Sequence, residues 1–221
     1  MTANCRVVVL ISGSGSNLQA LIDGQLNHSL PINIEAVISN RANAYGLERA
    51  AKAKIPNLTV DHTDFLDRES FDRALIEKIN QYQPDLVILA GFMRILTAEF
   101  VRHYQGKMLN IHPSLLPKYQ GLHTHQRALD AGDKLHGVTV HFVTEELDGG
   151  PPIIQAVVPV HKSDDVDTLA KRVQTQEHII YPMAVEWFAN QRLAIDRNRV
   201  LLDGEPLPPS GYQITDDNNT G

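Results

Sequence analysis

The stretch MLNIHPSLLPKYQG, residues 108–121, sets Asn110 and His112 two apart at the end of an apolar run. In an extended segment the side-chain period is two, so both side chains point to one face. An amide NH2 and an imidazole are donors suited to negative charge developing on a carbonyl oxygen. Neither is a good nucleophile, so the attacking group must come from a substrate. Asp148, in ELDGG, is the carboxylate that would orient His112, favour its protonated form and handle protons, provided the chain returns that turn to the histidine. Read singly, each has a plainer alternative: His112 as a satisfied strand-end histidine, Asp148 as an ordinary turn residue.

A second chemical signal is ISGSGSNLQAL, where a first strand hands over to a first helix. Glycines at 13 and 15 let the backbone turn toward a ligand, Ser16 is placed to cap the helix, and the helix N-terminus favours an anion. The dinucleotide fingerprint requires a third glycine where Leu18 stands, and the second strand ends in Ser39, Asn40 and Arg41 without an acidic residue. The Walker lysine is missing as well. A single phosphomonoester fits better; a tight turn with no ligand remains the alternative.

Other constellations carry less. No G-x-S-x-G surrounds Ser114, which argues against a serine hydrolase. His123 and His125 flank a threonine, while His136 and His141 are five apart in a strand and so face opposite ways. There is no H-E-x-x-H and no cysteine pair, and we expect no metal. Cys5 is the only cysteine and opens the apolar run CRVVVLIS, which predicts packing rather than catalysis.

The elements that must position these residues follow from periodicity. Val7 to Ile11 is a continuous apolar run, and Ser16 to Leu26 places Leu18, Leu21, Ile22 and Leu26 on one helical face. INIEAVIS precedes the helical GLERAAKAK, and LTVDH precedes a helix from Asp67 to Tyr82 with Phe71, Leu75, Ile76 and Ile79 inward. DLVILAGF and MLNIH follow as strands, separated by TAEFVRHYQ. Strands alternating with helices predict an α/β fold with a Rossmann-like, mostly parallel sheet flanked by helices. VTVHFVTEE and PIIQAVVPV, joined by ELDGGP without a helix, predict an antiparallel extension in the C-terminal third. A long helix from about Asp165 carries Leu169, Val173, Ile180, Trp187 and Phe188 inward, with Pro182 as a kink or break. RVLLDGEPLPP reads as a closing strand and turn. We expect one domain over 1–208 and a polar, mobile tail over 209–221.

With 43% hydrophobic and 21% charged residues, the 221-residue chain has the balance of a soluble globular protein. Its net charge of -6 offers no broad basic face for nucleic acid. The N-terminal apolar run is too short for a signal segment or a membrane span, and a cytoplasmic location is expected from the lone cysteine.

Six separated motifs together resemble the phosphoribosylglycinamide formyltransferases, the folate-dependent enzymes of purine synthesis: LISGSGSNLQAL, SNRANAYGLERA, LAGFMRIL, LNIHPSLLPKYQGLHTH, HGVTVHFVTEELDGGPPIIQ and RVQTQEHIIYP. The resemblance runs from about Cys5 to Tyr212. It implies transfer of a formyl group from 10-formyltetrahydrofolate to the amine of glycinamide ribonucleotide, with Asn110, His112 and Asp148 as the catalytic trio. It also implies phosphate binding by Gly15, Ser16 and Asn17, and contacts to the ribose and glycinamide part by Gln174 and Glu177. A folate pocket is implied at Met93, Arg94, Ile95, Leu96, Thr144, Glu145, Glu146 and Leu147, with Arg68 and Arg94 near the glutamate tail. Lys118 to Gly121, with His123, would form a loop at the mouth of the site. Without the resemblance, Gln174 and Glu177 read as a solvated helix face and the arginines as ordinary surface cations. The expected partners are these two small molecules, with no nucleic acid and no membrane, in a monomer or homodimer. Competing readings are methionyl-tRNA formyltransferase, expected to add a C-terminal domain and a basic surface; a formyltetrahydrofolate hydrolase, expected to add an N-terminal regulatory domain; and a non-catalytic nucleotide- or folate-binding module.

Overall fold

A computed structural model describes residues 4–215. Internal contacts gather the chain into two compact units, residues 1–110 and 111–221. The principal sheet has eight strands among the described residues.

In the first unit, strands and helices alternate: β1 (Cys5–Ile11), α1 (Ser16–Leu26), β2 (Ile32–Ser39), α2 (Tyr45–Lys52), β3 (Asn57–Thr59), α3 (Arg68–Asn80), β4 (Leu86–Leu89), α4 (Ala98–His103) and the start of β5 (Met108–His112). The strand order is β5-β4-β1-β2-β3, with every pairing parallel. The central strand shows why. Val7 to Ile11 are all fully buried, as a strand covered on both faces requires, and the run carries no alternating polar residue. Cys5 is buried too. Burial and the Asp85 carboxylate push its thiol up to about 12, so at neutral pH it is not a nucleophile.

The second unit contains α5 (Thr124–Asp130), β6 (Leu135–Phe142), β7 (Pro152–Pro159), α6 (Val166–Ala189), β8 (Leu193–Asp196), β9 (Arg199–Leu202), β10 (Glu205–Pro206) and β11 (Tyr212–Ile214). β6 and β7 are antiparallel, as their helix-free connection predicts, and β11 adds parallel to β7. α6 starts at a capped end, where the Asp165 carboxylate accepts the Thr168 N–H at 2.8 Å.

Several expectations need correction. Leu26 is 60% exposed, because α1 ends there and its last turn is not covered. The helix cap is Gly15, in the left-handed region, and Ser16 is already the first helical residue. Ile76 and Phe188 are only half-buried. Pro182 does not end α6, which continues to Ala189. The closing strand β9 belongs to a second sheet, β10-β9-β8, whose first strand in the chain, β8, the periodicity does not reveal. Part of the expected tail is ordered into the principal sheet, since Tyr212–Ile214 form β11; residues 216–221 of that tail lie outside the described residues. No helix among the described residues is long and apolar enough to cross a membrane.

Two buried histidines make the fold acid-sensitive. Burial, together with neighbouring His125, lowers His136 to about 4, and burial lowers His141 to about 4. Both rings fold neutral but are protonated in the unfolded chain below about 6.5. Stability is therefore full above that value and is lost as pH falls from 6.5 toward 4. A shift of this size corresponds to about 3 kcal/mol per histidine. Urea unfolding across that range should show the loss, and His136→Gln should reduce it by about half, leaving the share of His141.

Candidate active site

The phosphate-type loop is built by a close backbone approach in the first unit. Gly15 has φ 69°, and a Cβ placed there would sit 2.7 Å from the Gly46 Cα. A Cβ on Gly46 would in turn meet Ile11 at the end of β1. The Gly46 N–H donates to Gly13 O at 3.0 Å, and the Arg49 Nε–H donates to Ser14 O at 2.8 Å. The loop is thus tied to the start of α2 while opening onto the N-terminus of α1, the end of a helix that favours an anion. Asn17 is buried and Ser14 exposed. Gly15→Ala should combine left-handed strain with the Gly46 clash and cost about 1–3 kcal/mol in urea unfolding.

Ser12, just after β1, links this loop to the segment following β4. The Met93 N–H donates to Ser12 Oγ at 2.7 Å, and that hydroxyl donates to Asn40 Oδ1 at 2.5 Å. Met93 and Ile95 are 61% and 57% exposed, while Leu96 is half-buried. Such apolar side chains on an otherwise anchored segment suit the cover of a planar ring. The segment is irregular up to α4. The Arg94 guanidinium lies 5.9 Å from the Phe71 ring centroid, and its Nε has no hydrogen-bond partner among the described residues. Arg68 is exposed at the first position of α3.

β5 carries Asn110, half-buried, and His112, 7% exposed. In the second unit the turn after β6 returns Asp148 to His112, with Nδ1 to Oδ2 at 3.4 Å. Three features impose that return. Asp148 adopts φ 50°, a Cβ on Gly149 would strike the Glu146 side chain, and one on Gly150 would strike the Phe142 carbonyl. Asp148 Oδ2 also accepts the Gly121 N–H at 2.9 Å, fastening the loop after His112 to the carboxylate.

The other ring nitrogen of His112, Nε2, lies 2.8 Å from the Tyr119 carbonyl oxygen. A carbonyl only accepts, so Nε2 carries a proton there. Nδ1 faces a carboxylate, which also only accepts. The doubly protonated ring is the form that satisfies both neighbours. At 3.4 Å the Nδ1 contact is longer than a tight hydrogen bond, so its N–H retains donor capacity toward a third oxygen.

His141, which the sequence brings up only as a metal ligand, stands on the far side of the carboxylate, Nε2 to Oδ1 at 3.9 Å. Its Nδ1 is 2.8 Å from Phe142 O and donates to it, leaving Nε2 unprotonated in the neutral ring. His136, five residues earlier, instead meets His125 at 3.1 Å, as opposite strand faces require.

The loop over residues 113–124 is held from α5 and the turn that follows it. Lys118 and Tyr119 both bond Asp133, at 2.8 and 2.7 Å, and Arg127 donates to Gln120 O at 2.7 Å. Thr144 is half-buried, whereas Glu145, Glu146 and Leu147 are exposed on the turn before Asp148. Gln174 is exposed and Glu177 half-buried, three apart and hence neighbours on one face of α6. No group of three or more potential metal ligands occurs among the described residues.

Asn110 and His112 on β5, with the Asp148 carboxylate against the imidazole, supply hydrogen-bond donors and an acid–base pair, the equipment of a transferase whose nucleophile comes from a substrate. Residues 5–185 match the family described as Formyl transferase, and the chain belongs to that family. It is 57% identical over 206 residues to "Phosphoribosylglycinamide formyltransferase" of Escherichia coli (strain K12), covering 93% of this chain and 97% of that one. The protein of the same name from Haemophilus influenzae is 47% identical, with 94% and 98% covered. The solved phosphoribosylglycinamide formyltransferase of Coxiella burnetii, in complex with CHES, superimposes with a TM-score of 0.91 at 53% identity, covering 96% of this chain and 99% of that one.

Proposed function

We propose that this chain transfers the formyl group of 10-formyltetrahydrofolate to the amine of glycinamide ribonucleotide, within a catalytic domain spanning 1–208. The observation that carries the chemistry is His112 held between two acceptors, the Tyr119 carbonyl and the Asp148 carboxylate. The family match and the close relatives support the reaction and its substrates.

In this reading the substrate amine attacks the formyl carbon, and the carbonyl oxygen becomes an oxyanion. The Asn110 amide and the His112 Nδ1–H stabilise that charge, and their aim is set before reaction, which is what makes such donors effective. Asp148 holds the imidazolium and accepts the proton released by the attacking amine, through a water molecule, before it passes to the departing folate nitrogen. His141, neutral and 3.9 Å from the same carboxylate, keeps that side from carrying a second full charge.

Gly15, Ser16 and Asn17 bind the phosphate, and Gln174 and Glu177 hold the ribose and glycinamide part. Met93 to Leu96 and Thr144 to Leu147 receive the folate, with Arg68 and Arg94 meeting its glutamate tail. The cation at Arg94 is supported by its unbonded Nε.

The test is loss of the formyl donor measured with glycinamide ribonucleotide, with initiator methionyl-tRNA and with neither. Turnover only with the ribonucleotide is expected. Turnover with tRNA alone would overturn the acceptor, loss without an acceptor would mean a hydrolase, and no loss would mean a binding module.

A further inference from the structure

Between His112 and Gly121 the chain turns sharply, and its peptide groups have few regular ladder partners. The groups that replace those partners come from one row of side chains. Thr139 on β6 lies directly opposite Gln155 on β7, and Gln155 lies beside Gln213 on β11. Residues opposite one another in neighbouring strands share a face. Thr139 and Gln155 are 0% and 2% exposed, so their polar atoms must be paired within the protein.

They are paired by the loop. The Thr139 hydroxyl donates to Ser114 O at 2.7 Å and accepts the Leu116 N–H at 3.1 Å. Gln155 Nε2 donates to Leu116 O at 2.8 Å and to the Thr139 hydroxyl at 3.0 Å. Gln155 Oε1 accepts from Gln213 Nε2 at 3.2 Å. Every side-chain polar proton of Thr139 and Gln155 has an acceptor, and both backbone polar groups of Leu116 are held by side chains. From there the loop is short. The Ser114 hydroxyl donates to Lys118 O at 2.6 Å, and the next carbonyl, Tyr119 O, receives the His112 Nε2–H.

β11 is seated firmly enough to take part. A Cβ on Gly211 would lie 2.7 Å from the Ile153 carbonyl, and the Tyr212 ring meets Trp187 edge-on at 5.6 Å. Gln213 itself is exposed, so it is not needed to fill the core.

We propose that Gln155 is a positioning residue for formyl transfer: with Thr139 it clamps Leu116 so that the Tyr119 carbonyl meets His112, and Gln213 of the C-terminal strand fixes the orientation of its amide. This rests on the part assigned to His112 above. Small displacements of a catalytic group have large effects on rate. The row therefore acts on kcat, because Thr139 and Gln155 are buried and their polar protons are taken up within the protein.

The experiment compares wild type, Gln155→Leu, Gln155→Glu, Gln213→Ala and His112→Ala by steady-state kinetics and by hydrogen exchange at the Leu116 amide. Gln155→Leu is expected to lower kcat about 10-fold, with both KM values within about twofold, and to speed Leu116 exchange. Gln213→Ala should move both readouts the same way by about threefold. In Gln155→Glu the introduced carboxyl cannot donate to Leu116 O when charged but can when protonated, so the kcat of this variant relative to wild type should recover as pH is lowered. A purely structural role would not produce that recovery. Wild-type kcat in both Gln155→Leu and Gln213→Ala, with His112→Ala inactive, overturns the proposal. Should Gln155→Leu fail to fold, Gln213→Ala decides: unchanged kcat or unchanged exchange overturns it. Full turnover in His112→Ala would instead show that the reading of His112 is wrong.

Discussion

Asp148→Asn is expected to lower kcat about 10²-fold or more while changing the KM for either substrate about threefold at most. The asparagine keeps an oxygen to accept the Gly121 N–H, so the loop bond at 2.9 Å survives. What disappears is the negative charge 3.4 Å from His112 Nδ1. Without it the imidazolium loses its partner, and the attacking amine loses the acceptor for its proton. Steady-state kinetics in both substrates, with the variant's folding checked by urea unfolding, measures the effect. A variant with full turnover would remove Asp148 from the reaction, and a rise confined to KM would make it a binding group.

His112→Ala is expected to be the more damaging change, about 10³-fold in kcat, because it removes both a donor to the oxyanion and the positive charge behind it. The informative measurement is the double variant. If Asp148 works largely through His112, the pair behaves as a unit, and Asp148→Asn should cost little more once the imidazole is gone. Losses that multiply would mean the carboxylate handles protons independently of the ring. The single variant leaves the Tyr119 carbonyl without its 2.8 Å donor, so part of its effect is loop disorder. Hydrogen exchange over the loop separates that part from the lost charge.

Much of this arrangement is legible in the sequence, for specific reasons. β1 and β4 follow from the unbroken apolar runs Val7 to Ile11 and Leu86 to Leu89, and the β6–β7 pair follows from a glycine turn with no room for a helix. The His112–Asp148 approach enters from the sequence only as a condition, because nothing local determines where the turn after β6 comes to rest. The sequence marks Gly15 as a turn residue and Ser16 as the cap; assigning the cap to Gly15 needs the φ of 69° that the Gly46 contact imposes. β11 is hidden because YQI is short and lies among polar and glycine residues, and its strand character comes from β7 rather than from itself. Gln155 does leave a trace, as the one polar side chain inside PIIQAVVPV. A buried amide implies partners, but those partners, Leu116 and Thr139, lie far away in sequence. His141 is likewise visible as a strand histidine, while its closeness to Asp148 is not.

The contact between Gly15 and Gly46 has a consequence for how this sequence can diverge. A Cβ on Gly15 would lie 2.7 Å from the Gly46 Cα, and one on Gly46 would strike Ile11 and crowd the Gly15 Cα at 3.3 Å. Most crowded pairs can drift by compensation, one residue shrinking as its neighbour grows. Here both already have the smallest possible residue, so no compensating exchange is available, and the pair can change only if the backbone of one segment first moves away from the other. Descendants of this chain should therefore hold the two glycines or lose them together with the geometry of the loop.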